Sequence, residues 1–70
     1  MAGLTIKKLT NADTQRWVQI TRNDDMKEWT FAIGDIGTLV AYDTARFRFG
    51  NQMSSWSTAL MHAEWMSKHC

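Results

Sequence analysis

The chain is predicted to fold as a small α+β domain, a mostly antiparallel sheet of three to five strands packed against one C-terminal α-helix. Three observations lead there. Two stretches of alternating side chains, Gln15 to Arg22 and Lys27 to Ile33, flank the turn-forming run Asn23-Asp24-Asp25-Met26. The segment from Asn51 to the end repeats its apolar residues at helical spacing. The third observation is compositional. Seventy residues carry four tryptophans, three phenylalanines, one tyrosine and five methionines, but a single cysteine. Disulfides within the chain and a cysteine-rich zinc site are therefore excluded, and large side chains or a partner subunit must supply what so short a chain lacks in buried surface.

The elements follow in order. Leu4-Thr5-Ile6-Lys7-Lys8-Leu9 serves as a first strand with Leu4 and Ile6 inward, and its lysines suit a sheet edge, where they discourage stray pairing. Asn11-Ala12-Asp13-Thr14 reads as a turn. In the next strand Trp17, Gln19 and Thr21 point one way, and Val18 and Ile20 the other. Across the Asn-Asp-Asp-Met turn, a loop of four or five residues in the absence of Asn-Gly, Trp29, Phe31 and Ile33 share a face opposite Glu28, Thr30 and Ala32. The chain, which has no proline, then divides at Gly34-Asp35-Ile36-Gly37 and at Gly50-Asn51.

The segment from Thr38 to Phe49 admits two readings. Extended, it puts Thr38, Val40 and Tyr42 on one face and turns at Tyr42-Asp43-Thr44-Ala45 into Phe47 and Phe49. As a helix capped by Asp35 it aligns Ile36, Val40 and Phe47 with an acid, Asp43. Its β-branched and aromatic residues favour the extended form. In the C-terminal helix, Asn51, Ser54 and Ser55 are the candidate caps, and Lys68 and His69 suit the negative end of the dipole. Met53, Trp56, Ala59, Leu60, Ala63 and Met66 form the stripe a sheet would cover.

The chain reads as one domain over residues 1–70, without repeats or low-complexity tracts. A formal charge of +1 with 21% charged residues argues against a DNA-coating protein and against an acidic mimic of DNA, while leaving room for a local basic patch. No apolar run has the length of a membrane span, and Met1 to Thr10 has no signal-peptide core. The expected location is the cytoplasm, or the host cytoplasm for a viral protein.

Two features carry the expectations about function. Met61 and Trp65, four residues apart, lie off the core stripe beside Thr58, where a sulfur–indole contact would pair them. They are candidate anchors for another protein or for a second copy of this chain, a homodimer; the competing arrangement folds a loop such as residues 34–37 over them. The second feature is Arg46-Phe47-Arg48-Phe49. Strand alternation puts the rings opposite the arginines, so a base stacked on a ring and a phosphate held by an arginine cannot share one ligand. Buried rings and solvated arginines follow, with Arg46 and Arg48 joined by Arg16 or Arg22 as a charged patch for an acidic partner.

His62 and His69 share one side of the helix, but no fourth donor accompanies them and Cys70, so no metal, cofactor or nucleophilic thiol site is assigned. Cys70 is expected to be a reactive surface thiol that gives disulfide dimers on air oxidation. No two carboxylates are placed in a shared cleft, and Gly34-Asp35-Ile36-Gly37 is too short for a phosphate-cradling loop. The leading expectation is a non-enzymatic protein that docks on another protein through Met61, Trp65, Arg46, Arg48 and Arg22. In size and type, though by no motif, it is similar to virus-encoded inhibitors of host machinery, including anti-CRISPR and polymerase-blocking proteins. A nucleic-acid-binding regulator using Lys7, Lys8, Arg16, Arg22, Arg46 and Arg48 on one sheet face ranks second. A structural or assembly protein of a phage particle ranks third.

Overall fold

The computed structural model describes residues 3–50, 53 and 55–70. Strands β1 (Leu4–Asn11), β2 (Arg16–Asn23), β3 (Glu28–Asp35) and β4 (Asp43–Arg48) form one antiparallel sheet in the order β1-β2-β3-β4. Helix α1 (Trp56–His69) packs on one face of it, which is the predicted class. No helix among the described residues is long and apolar enough to cross a membrane.

Both tight hairpins are built alike. Asn11 Oδ1 accepts the N–H groups of Asp13 and Thr14 at 3.0 and 3.3 Å, and Asn23 Oδ1 accepts that of Met26 at 3.0 Å. Each asparagine thus clamps the loop it opens. Each loop closes on a left-handed residue, Gln15 at φ 57° and Lys27 at φ 52°, which turns the chain into the next strand. The expected Asn-Asp-Asp-Met turn is present, with Asn23 ending β2 and Lys27 completing the loop.

Pairing of Val18 with Ile33, Ile20 with Phe31 and Arg22 with Trp29 puts the core side chains Val18, Ile20, Trp29, Phe31 and Ile33 on the helix face, as the alternation predicts. Val18, Ile20, Trp29, Phe31 and Ile33 form the core with Ala59, Ala63 and Met66. The two alanines let the helix backbone approach the sheet closely. Trp29 anchors the cluster: its ring meets Trp56 edge-on at 5.0 Å, and its Nε1–H donates to the Met53 carbonyl at 2.8 Å, so the indole's own buried donor is paired. Trp56 and Leu60 pack at the margin of the stripe, whereas Met53 precedes the helix and bridges to Gly50. Ser55 is the N-cap; Asn51 and Ser54 lie outside the described residues.

Two expectations are corrected. In β1, Leu9 stands beside Val18 and Lys7 beside Ile20, so the odd-numbered residues face the helix. Leu4 and Ile6 face away from the core and are exposed, Ile6 by 59%. Apolar residues of β1 occupy both parities, and one register cannot bury both sets. Leu9 lies under the helix, and Asn11 beyond it donates to Ser67 Oγ at 3.1 Å, which fixes the choice.

The second correction concerns residues 36–42, which form a loop in place of extended structure. Ile36 N–H donates to the Gln15 carbonyl at 2.9 Å, Gly37 takes φ +103°, and Tyr42 N–H returns to the Ile33 carbonyl at 2.9 Å. On the way the Thr38 carbonyl accepts the Trp17 Nε1–H at 3.0 Å, so Trp17 is buried on the face opposite the core. β4 then starts at Asp43, where a turn was expected. β3 ends at Asp35, within the Gly34-Asp35-Ile36-Gly37 run where the chain was expected to divide, but Gly34 itself has a packing role. It lies buried within β3 beneath Trp17.

Candidate docking groove between the helix and the last strand

A concavity between the helix and the last strand follows from width. Adjacent strands are about 4.8 Å apart, so four strands exceed the roughly 10 Å breadth of one helix. Helix α1 lies across β1, β2 and β3 and leaves the core-side face of β4 only partly covered: Ala45 packs against the core, whereas Phe47 is exposed beside His62. There a groove of about 660 Å³ runs between α1 and β4, lined by Phe47, Met53, Thr58, Met61, His62 and Trp65, with Arg48 and Gly50 at its β4 end.

Met61 and Trp65 meet the same groove from the helix, as their position off the core stripe implied. Met61 is 70% exposed and Trp65 53%. Residues 34–37 do not cover them; that segment turns to the opposite face, toward Trp17. The ring neighbours of Trp65 are two imidazoles: His62 stacks on it at 5.9 Å and 18°, and His69 approaches at 5.2 Å and 37°. His62 in turn stands edge-on to Phe31 and Phe47 at 5.1 and 5.0 Å. A column of rings therefore ties Trp65 to the core and holds it at the lip of the groove. Histidines at positions three before and four after a tryptophan on a helix are the signal that reveals this column, and the sequence reading did not use it. Desolvation against these rings lowers the His62 pKa below the ordinary imidazole value.

The arginines are divided by the pleat. Arg46 and Arg48 pair with Thr30 and Glu28 on the face away from the helix. Arg22 pairs with Trp29 on the helix face, where its guanidinium lies 5.2 Å from the Trp29 ring and 4.9 Å from Phe49 and bonds Asp24 at 2.7 Å. Arg22 is thus engaged within its own chain and does not join Arg46 and Arg48. Parity also places Lys7 and Arg16 on the helix face, so the six-residue basic face reduces to Lys8, Arg46 and Arg48, and Lys8 lies over the Trp17 ring at 4.8 Å.

Phe47 is partly exposed in the groove, while Phe49 packs against the core beside Trp29. Leu39, 92% exposed, and Val40 project from the loop before β4, and Tyr42 donates its hydroxyl to the Cys70 carbonyl at 3.2 Å. Cys70 is an exposed free thiol. Among the described residues no three His, Cys, Asp or Glu side chains gather as metal ligands. No protein-family model, curated protein or solved structure matches the chain.

Proposed function

We propose that this chain is a non-enzymatic protein-binding module whose α1–β4 groove docks on another protein, with Trp65 and Met61 as the anchors. One observation carries the reading. Trp65 is half-exposed at the lip of an apolar groove and is already held between His62 and His69. An aromatic fixed in this way loses little rotamer freedom on binding, which is what interface anchors require. A groove lined by methionine and aromatic rings adapts to apolar side chains, and exposed apolar patches of this kind mark interaction sites. Docking of this sort acts stoichiometrically, by covering a surface of the target, as a small virus-encoded inhibitor would.

The test is capture from cell lysate by the immobilised chain at about 0.5 M salt, where exposed charge pairs are largely screened. A bound protein is expected to be retained by the wild type and lost by at least about tenfold with Trp65→Ala and with Met61→Ala. Capture indifferent to both substitutions would overturn the proposal. So would binding that is confined to nucleic acid and collapses between low and moderate salt.

A further inference from the structure

β4 is an edge strand, and its pleat fixes which groups it offers. Phe49 N–H donates to the Lys27 carbonyl at 2.9 Å, so in this antiparallel ladder the odd-numbered residues of β4 bond inward to β3. The N–H and C=O groups of Thr44, Arg46 and Arg48 therefore point away from the sheet. Thr44 N–H is capped by Asp43 Oδ1 at 2.9 Å, as an outward group would be. The edge borders two different surfaces. On the helix side lies the apolar groove with Phe47, Met61 and Trp65; on the other side stand Arg46 and Arg48. Among the described residues neither arginine forms an ion pair, and Glu28 opposite Arg48 is the one acid beside them on neighbouring β3.

Resting on the docking reading above, we infer that the partner adds an extended segment to the β4 edge as a fifth strand, with apolar residues entering the groove and acidic residues at the alternate positions meeting Arg46 and Arg48. A strand laid along this edge touches both surfaces at once, because side chains of an extended chain alternate between the faces of the sheet it joins. Main-chain bonds to Arg46 and Arg48 supply the pairing; the two faces supply the selection. A second copy of this chain fits poorly. Its own β4 would bring another Arg46 and Arg48 to the same face, setting four arginines together, and like charges across paired strands are unfavourable.

The probe is a blocked peptide of about ten residues alternating valine with glutamate, compared with a valine–lysine peptide and with a valine–glutamate peptide N-methylated at its edge-bonding amides. Binding is read by amide exchange. The glutamate peptide is expected to bind at least about tenfold more tightly than the lysine peptide and to protect the Arg46 and Arg48 amides. N-methylation, or the exposed double substitution Arg46→Glu with Arg48→Glu, is expected to abolish that protection. Strand addition is overturned if the glutamate peptide fails to bind, if both charge types bind alike, or if binding leaves the two amides unprotected. Concentration-dependent protection without any peptide would overturn it in favour of a second copy. The docking reading is judged separately: a captured partner lost with Trp65→Ala, while the Arg46 and Arg48 amides exchange freely, retains docking and removes strand addition.

Discussion

Gly34→Ala adds one methyl group to β3, directly beneath Trp17. In most strands this change is favourable by about 0.5–1 kcal/mol, because glycine surrenders more backbone freedom and packs nothing. Here the new carbon would lie 2.5 Å from Trp17 Cζ2, 2.6 Å from Cε2 and 3.0 Å from Nε1. The indole would have to retreat by roughly 1 Å to reach ordinary contact. It is not free to do so without loss, since its Nε1–H is committed to the Thr38 carbonyl at 3.0 Å. Overpacking of this size costs about 1–3 kcal/mol, and losing the hydrogen bond about 1 kcal/mol more. The net expectation is a destabilisation of about 2–3 kcal/mol, read as a lower midpoint in urea unfolding at unchanged slope. The decisive arm is the double mutant. In a Trp17→Ala background the clash is gone, and Gly34→Ala should become neutral or stabilising, a coupling of more than about 2 kcal/mol between the two positions. Gly34→Ala within about 0.5 kcal/mol of wild type, or equally harmful with and without Trp17, would refute the packing described for this face.

Ser67→Ala removes a buried hydroxyl that donates to the Glu64 carbonyl at 2.7 Å and accepts from Asn11 Nδ2 at 3.1 Å; a loss of about 1–2 kcal/mol in urea unfolding is expected, with faster amide exchange in the β1–β2 turn that Asn11 clamps. His62 has a lowered pKa through desolvation, so between its folded and unfolded values the unfolded state binds the extra proton. Its contribution to stability is present above the ordinary imidazole range near 6.5 and is lost as pH falls through the folded value. The groups that face it are the rings of Phe31, Phe47 and Trp65, with His69 beyond Trp65 as the nearest titratable neighbour on α1 and Arg48 on the opposite face of β4, and a melting series from about pH 7.5 to 5 should show a decline that His62→Gln flattens. Trp65→Gln changes a half-exposed side chain outside the core cluster and, through loss of its contacts with His62 and His69, should cost about 0.5–1.5 kcal/mol in the same assay, so loss of capture by a variant that urea unfolding shows to be still folded reports on docking.

The sequence revealed most where one face of an element is continuously apolar. Trp29, Phe31 and Ile33 alternate without exception, and β3 lies as that alternation requires; the Ala59–Ala63–Met66 stripe orients α1 in the same way. β1 was not legible because Leu4 and Ile6 compete with Leu9 for the inner face, and the winner depends on a helix and a hydrogen bond to Ser67 that are remote in sequence. Residues 36–42 were misread because β-branched and aromatic side chains favour a strand locally, whereas the need to cap Trp17 on the far face draws the segment into a loop. The groove was half legible. The offset of Met61 and Trp65 from the stripe follows from helical periodicity, but that β4 lies past the edge of α1, meeting it through Phe47 and His62, is a consequence of strand order, and Arg22 leaves the arginine patch only because register places it over Trp29.

The central claim, that the α1–β4 groove is the surface this chain presents to another polypeptide, is tested most directly by photo-crosslinking from defined positions. Met61 replaced by p-benzoylphenylalanine places the probe in the groove; Ile6 replaced in the same way places it on the opposite face at similar exposure. A covalent adduct from position 61 and none from position 6, with a mass that identifies a different chain, is the predicted result. An adduct from position 6 with none from position 61 would contradict it.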